Sequence, residues 1–181
     1  MSAPRTIYNL ALIGFMGTGK SSVGRLAAAH LHFRFVDTDE VIESRAGRSI
    51  TEIFAQAGES VFRGIEKQVV SELSKVQKTV ISTGGGLVAN EENLASLRQH
   101  ALIVCLWASP EAIWERVHAQ SHRPLLQGPS PMDRIRELLA LREPFYKRAD
   151  VLINTEMRSI KEVAQQVLHQ FHVARVLPAE K

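Results

Sequence analysis

The run Gly14-Phe15-Met16-Gly17-Thr18-Gly19-Lys20-Ser21 fits the pattern G-x-x-x-x-G-K-[ST] at every defined position. Glycines let a backbone turn tightly and bring its N–H groups to anionic oxygens, and a helix opening at Lys20 aims its positive end at them. In such a loop Lys20 reaches the terminal phosphates of a nucleotide and the Ser21 hydroxyl ligates Mg2+. The chemistry implied is binding of a nucleoside triphosphate, and the loop alone does not separate a kinase from a GTPase or a mechanical ATPase.

Further along stand Asp37-Thr38-Asp39 and Thr83-Gly84-Gly85-Gly86. If strand geometry persists through Asp39, period-two alternation puts both carboxylates on one side, one for hydrated Mg2+ and the other for a substrate hydroxyl. Either aspartate could instead cap the helix expected from Glu40. The successive glycines would let a ligand lie against bare backbone, or would simply form a flexible turn. Three arginines, Arg63, Arg123 and Arg142, suit carboxylate binding or the charge of a transferring phosphoryl group, although each taken singly also reads as a solvated arginine.

The elements that must position these groups follow from hydrophobic patterning. Short apolar runs at 7–13, 33–37, 79–82, 101–107 and 151–154 read as strands. Helical spacing covers 20–31, 40–46, 51–57, 60–75, 91–99, 110–119, 133–147 and 159–172. Alternation of the two types predicts an α/β fold with helices on both faces of a parallel sheet, in which the carboxyl ends of strands border the ligand crevice. One domain, 1–176, is expected from the length of 181 residues, with a frayed tail at 177–181. The Pro- and Gly-rich stretch 123–131 reads as a loop.

The 22 Lys and Arg against 19 Asp and Glu leave a net charge of +3 without a basic stripe, so no nucleic-acid partner is expected. Cys105, the one cysteine, excludes an intrachain disulfide and a cysteine-based metal site. The first residues lack the pattern of an export signal, and no apolar run spans a bilayer, so a cytoplasmic protein without membrane attachment is expected.

In this order, over nearly the whole chain, the pieces G-F-M-G-T-G-K-S, V-D-T-D, G-E-S-V-F-R-G-I-E, S-T-G-G-G, R-P-L-L and L-R-E-P-F-Y resemble the shikimate kinase family. The resemblance implies a three-layer α/β/α P-loop fold with a five-stranded parallel sheet, a substrate-binding helical region after the second strand, and a lid near 117–131. It implies transfer of the ATP terminal phosphate, with Mg2+, to the 3-hydroxyl of shikimate by a monomer. Gly17, Thr18, Gly19, Lys20, Ser21 and Ser22 would hold the nucleotide, Ser21 would ligate the metal, and Asp37 would hold it through water. Asp39 would bind the shikimate hydroxyls and orient or deprotonate the one attacked, Arg63 and Arg142 would grip the shikimate carboxylate beside Gly84, Gly85 and Gly86, and Arg123 would act from the lid. Glu66 would orient Arg63, Arg158 would lie near adenine, and Phe54 and Phe62 would wall the pocket or pack in the core. The alternatives are a kinase of another polyhydroxy acid such as gluconate, and a non-catalytic relative that binds nucleotide only.

Overall fold

The computed structural model describes residues 5–118 and 130–176. Five strands, β1 (Asn9–Ile13), β2 (Arg34–Asp37), β3 (Thr79–Ser82), β4 (Ala101–Trp107) and β5 (Val151–Asn154), form a parallel sheet in the order β2-β3-β1-β4-β5. The helices among the described residues are α1 (Lys20–Leu31), α2 (Thr38–Ala46), α3 (Ile50–Leu73), α4 (Glu91–Arg98), α5 (Pro110–Val117), α6 (Pro131–Tyr146) and α7 (Ile160–Val176). None is long and apolar enough to cross a membrane.

Successive side chains of a strand point to opposite faces, and the core divides accordingly. Leu10, Leu12, Leu102, Val104 and Leu106 face Val23 and Ala27 of α1 and Val163, Val167 and Phe171 of α7. Ala11, Ile13, Ile103 and Cys105 face the other layer, where α2 through α6 contribute Ile42, Val69, Leu94, Ile113 and Ile135. Ile13 is wholly buried, and truncating such a side chain to alanine costs about 2–5 kcal/mol. Cys105 belongs to this core, and burial pushes its thiol up to about 12, which makes it a packing residue.

The expected helices 51–57 and 60–75 form one element, α3, broken where the patterning breaks: Gly58 departs from helix at φ 81° and ψ 169°. Ser49 and Glu52 close its start as a reciprocal capping box. Pro131, expected in the loop, opens α6, where its missing N–H costs no helical bond.

At the amino ends of the strands one buried amide ties three elements. Asn9 donates to the Val76 carbonyl oxygen at 2.7 Å and accepts from the Thr79 N–H at 3.0 Å. Its amide nitrogen also lies 2.8 Å from Nδ1 of His100, which must accept, so the imidazole proton sits on Nε2. That Nε2 is buried without a partner among the described residues. Burial, and then the charge of Arg5, hold His100 below the usual histidine range.

Candidate active site

All the groups singled out by the sequence on β1, β2 and β3 emerge at the carboxyl end of the sheet, where three neighbouring strands finish side by side. After β1 the chain wraps through Gly17 and Gly19, whose φ values of 76° and 89° are left-handed and favour glycine. Thr18 Oγ1 and Lys20 Nζ both donate to the Phe15 carbonyl oxygen at 2.8 Å, which closes the loop on itself and holds the ammonium inside it. Gly19 caps α1, so the first N–H groups of that helix face the loop. Ser21 and Ser22 are exposed in the first turn, and Ser21 Oγ donates to Asp37 Oδ2 at 2.7 Å and lies 3.3 Å from Ser82 Oγ.

β2 ends at Asp37 and α2 begins at Thr38, so the period-two expectation for the two aspartates does not hold. Asp37 takes the capping alternative through Oδ1, which accepts the Asp39 N–H at 3.1 Å, and its Oδ2 accepts the Ser21 hydroxyl. Asp39, in the first helical turn, faces the triglycine turn. A Cβ added to Gly84 would lie 2.5 Å from Asp39 Oδ1, one on Gly86 would lie 3.0 Å from Arg63 Nη2, and one on Gly85 would lie 3.4 Å from Arg142 Nη1.

The glycines thus make room for three charged side chains gathered from α2, α3 and α6. Arg63 donates to Glu66 Oε2 at 2.8 Å, and to Glu59 as well. Glu66 is 1% exposed, so the arginine is anchored from below by a buried carboxylate. Arg142 lies over the ring of Phe15 at 5.5 Å, which brings α6 to the phosphate loop.

The family model for shikimate kinase matches residues 16–172. The chain belongs to the shikimate kinase family. It is 47% identical to the shikimate kinase of Thermodesulfovibrio yellowstonii over 163 residues, covering 90% of this chain and 94% of that one. It is 46% identical to that of Caldanaerobacter subterraneus over 163 residues, covering 90% and 95%. Among solved structures, shikimate kinase from Acinetobacter baumannii in complex with shikimate superposes with a TM-score of 0.89 at 34% identity, covering 96% of this chain and 97% of that one. A gluconokinase from Sinorhizobium meliloti shares the fold alone, with a TM-score of 0.62 at 17% identity and 93% and 94% coverage. This shikimate kinase family member is therefore an ATP-dependent kinase of the α/β P-loop fold.

Within that frame the electrostatics are uneven. Burial, reinforced by the negative charge of Asp37, pushes the Asp39 carboxyl up to about 6 against the pull of Lys20. Burial also raises Glu66 above the usual carboxylate range, opposed by the Arg63 hydrogen bond and then by the charges of Arg63 and Arg142. A carboxylate with a raised pKa beside a lysine is poised to take a proton near neutral pH.

Arg123 and most of the expected lid, 119–129, lie outside the described residues, as does the tail 177–181. Arg158 is exposed beyond β5, where it donates to the Asn154 carbonyl oxygen at 3.2 Å and to Gln166 at 2.8 Å. Arg116, not singled out by the sequence, also meets the phosphate loop: Nη1 donates to the Gly17 carbonyl oxygen at 3.2 Å and to Thr155 Oγ1 at 2.9 Å. Its sequence neighbourhood is an ordinary amphipathic helix end and carries no mark of that contact. Thr38 and Tyr146 also touch the triglycine turn. Phe54 is 40% exposed and stacks at 4.8 Å on Phe62, which is 5% exposed, so Phe62 packs in the core and Phe54 covers it.

Proposed function

We propose that this chain transfers the terminal phosphoryl group of ATP to the 3-hydroxyl of shikimate, giving ADP and shikimate 3-phosphate, a step toward aromatic amino acids. The observation that carries this reading is the convergence of Asp39, Arg63 and Arg142 on the bare backbone of Gly84, Gly85 and Gly86. One carboxylate and two guanidinium groups around an uncluttered turn complement a compact acceptor with hydroxyls on one side and a carboxylate on the other.

On the nucleotide side, Gly17, Thr18, Gly19, Lys20, Ser21 and Ser22 cradle the phosphates at the start of α1, and Lys20 offsets the charge of the transferring group. The oxygen donors Ser21 and Asp37, 2.7 Å apart, suit Mg2+, with Ser21 bound directly and Asp37 through water. When bound there, the ion would neutralise charge on the phosphate oxygens. Asp39 accepts the proton of the attacked hydroxyl or orients it, and its raised pKa supports the first role. Arg63, held by Glu66, and Arg142 grip the carboxylate. Arg123 is assigned to the phosphates, and Arg158 to the adenine side, by family resemblance. A cytoplasmic monomer, one domain over 1–176 with a lid near 117–131, completes the proposal.

ADP release from ATP and Mg2+ tests it, run with shikimate, with gluconate and without acceptor. Turnover that requires shikimate and yields shikimate 3-phosphate is expected. Gluconate-dependent turnover, or nucleotide binding with no acceptor-dependent turnover, would overturn it.

A further inference from the structure

The hydrogen bonds around the triglycine turn assign work to two residues that play no part in the reaction as derived above. Thr38, wholly buried between the two aspartates, accepts the Gly84 N–H on Oγ1 at 3.0 Å. Tyr146, 6% exposed at the end of α6, donates its phenol to the Gly85 carbonyl oxygen at 2.7 Å. Burial raises the Tyr146 phenol above its ordinary range, so it stays protonated and remains a donor. The backbone closes most other groups: the Thr83 N–H meets the Leu12 carbonyl, and the Leu87 and Ala89 N–H groups meet the carbonyls of Gly84 and Gly86, each at 3.1 Å. Among the described residues no acceptor takes the N–H of Gly85 or Gly86.

We propose that Thr38 and Tyr146 are positioning residues for phosphoryl transfer, clamping the triglycine turn from α2 and α6 so that its open amides meet the acceptor at a fixed distance from Asp39, Arg63 and Arg142. The proposal rests on the acceptor reading of this site. Three consecutive glycines carry the largest backbone entropy of any tripeptide and no side chains to pack, so bonds from outside add to the few local backbone bonds that define the turn. A β-branched threonine has a stiff side chain, and a buried tyrosine is confined by its ring, so each presents oxygen at a defined point. Buried hydrogen bonds of this kind are strengthened by the low dielectric around them. Small displacements of groups that align reactants cost rate steeply, which is why anchors outside the contact shell matter.

The same two bonds would serve only the fold if the turn were a passive connector, and the two roles separate by experiment. Tyr146→Phe and Thr38→Val each remove one oxygen, and Thr38→Ser keeps it. The first two should raise KM for shikimate about five- to tenfold, as loss of one buried hydrogen bond implies, and leave KM for ATP within about twofold. Both should quicken amide exchange over residues 83–89 of the free protein, and Thr38→Ser should stay near the parent in every readout. Unchanged exchange in both variants overturns the clamp, as does an equal rise in the two KM values. Because exchange is read on free protein, it decides the clamp even if the parent shows no turnover with shikimate, an outcome that would overturn the substrate reading alone.

Discussion

Gly17 and Gly19 of the phosphate loop adopt φ values that other residues avoid, whereas none of Gly84, Gly85 and Gly86 has a positive φ. Space separates Gly19 from Gly84 in the opposite sense. A Cβ on Gly19 would come no nearer than 3.9 Å to Val23, one on Gly17 would meet Val117 Cγ1 at 2.7 Å, and one on Gly84 would collide with Asp39. Glycine at position 19 is thus chosen by the backbone alone, at 17 by backbone and space together, and on the acceptor side by the side chains that crowd in. The donor side is consequently local, spelled out in eight consecutive residues, while the acceptor side exists only once α2, α3 and α6 have packed.

The sharpest way to break this comparison is at Asp39, the residue proposed to act on the acceptor hydroxyl. Asp39→Asn should lower kcat by about 10^3-fold and leave ATP affinity within about twofold. In the parent, kcat/KM for shikimate should fall as pH drops below about 6, because only ionised Asp39 accepts a proton. A variant that keeps a tenth of parental kcat would remove Asp39 from proton transfer.

Next in size is a contrast of two alanines. Gly84→Ala should raise KM for shikimate about 10–100-fold through overpacking against Asp39, with ATP little affected. Gly19→Ala meets open space and pays only backbone strain of about 1–2 kcal/mol, so it should weaken ATP about tenfold and spare shikimate. Isothermal calorimetry with each ligand reads both, and a reversed pattern would refute the distinction.

The smallest effect lies away from both sides, at His100. Its folded pKa is depressed, so the unfolded chain binds the proton first and stability is full above the ordinary value of 6.5 and declines as pH falls below it. Thermal unfolding should show Tm dropping by about 2–4 °C more between pH 7.5 and 5.5 in the parent than in His100→Gln. Equal slopes would mean that the buried Nε2 has no bearing on folding.

Sequence patterning located β3, β4, β5 and α1 to the residue, because short apolar runs and an amphipathic helix have distinct periods. It misplaced the path after Asp37, since an edge strand with Val36 as its one buried residue gives no signal for where strand becomes helix. The motif residues were legible as types, yet their grouping was not: nothing local says that Arg142 reaches Phe15 or that Arg116 meets Gly17. Those contacts join residues 127 and 99 positions apart. Long-range side-chain geometry of this kind appears only after the sheet order is set.

That order has a consequence for how the chain becomes an enzyme. β1 and β2 leave the ribosome first but are not neighbours; β3, third in sequence, sits between them. Strands in a sheet lie about 4.8 Å apart, so a gap of about 10 Å must stay open for it. A nascent chain ending before Thr79 already carries Lys20, Ser21, Asp37 and Asp39 and still has no working spacing between donor and acceptor. Insertion of four residues, Thr79–Ser82, delivers the triglycine turn and joins β2 to β1 in the same event, so the turn arrives together with the two ladders that flank β3, and Arg142 follows only when α6 packs.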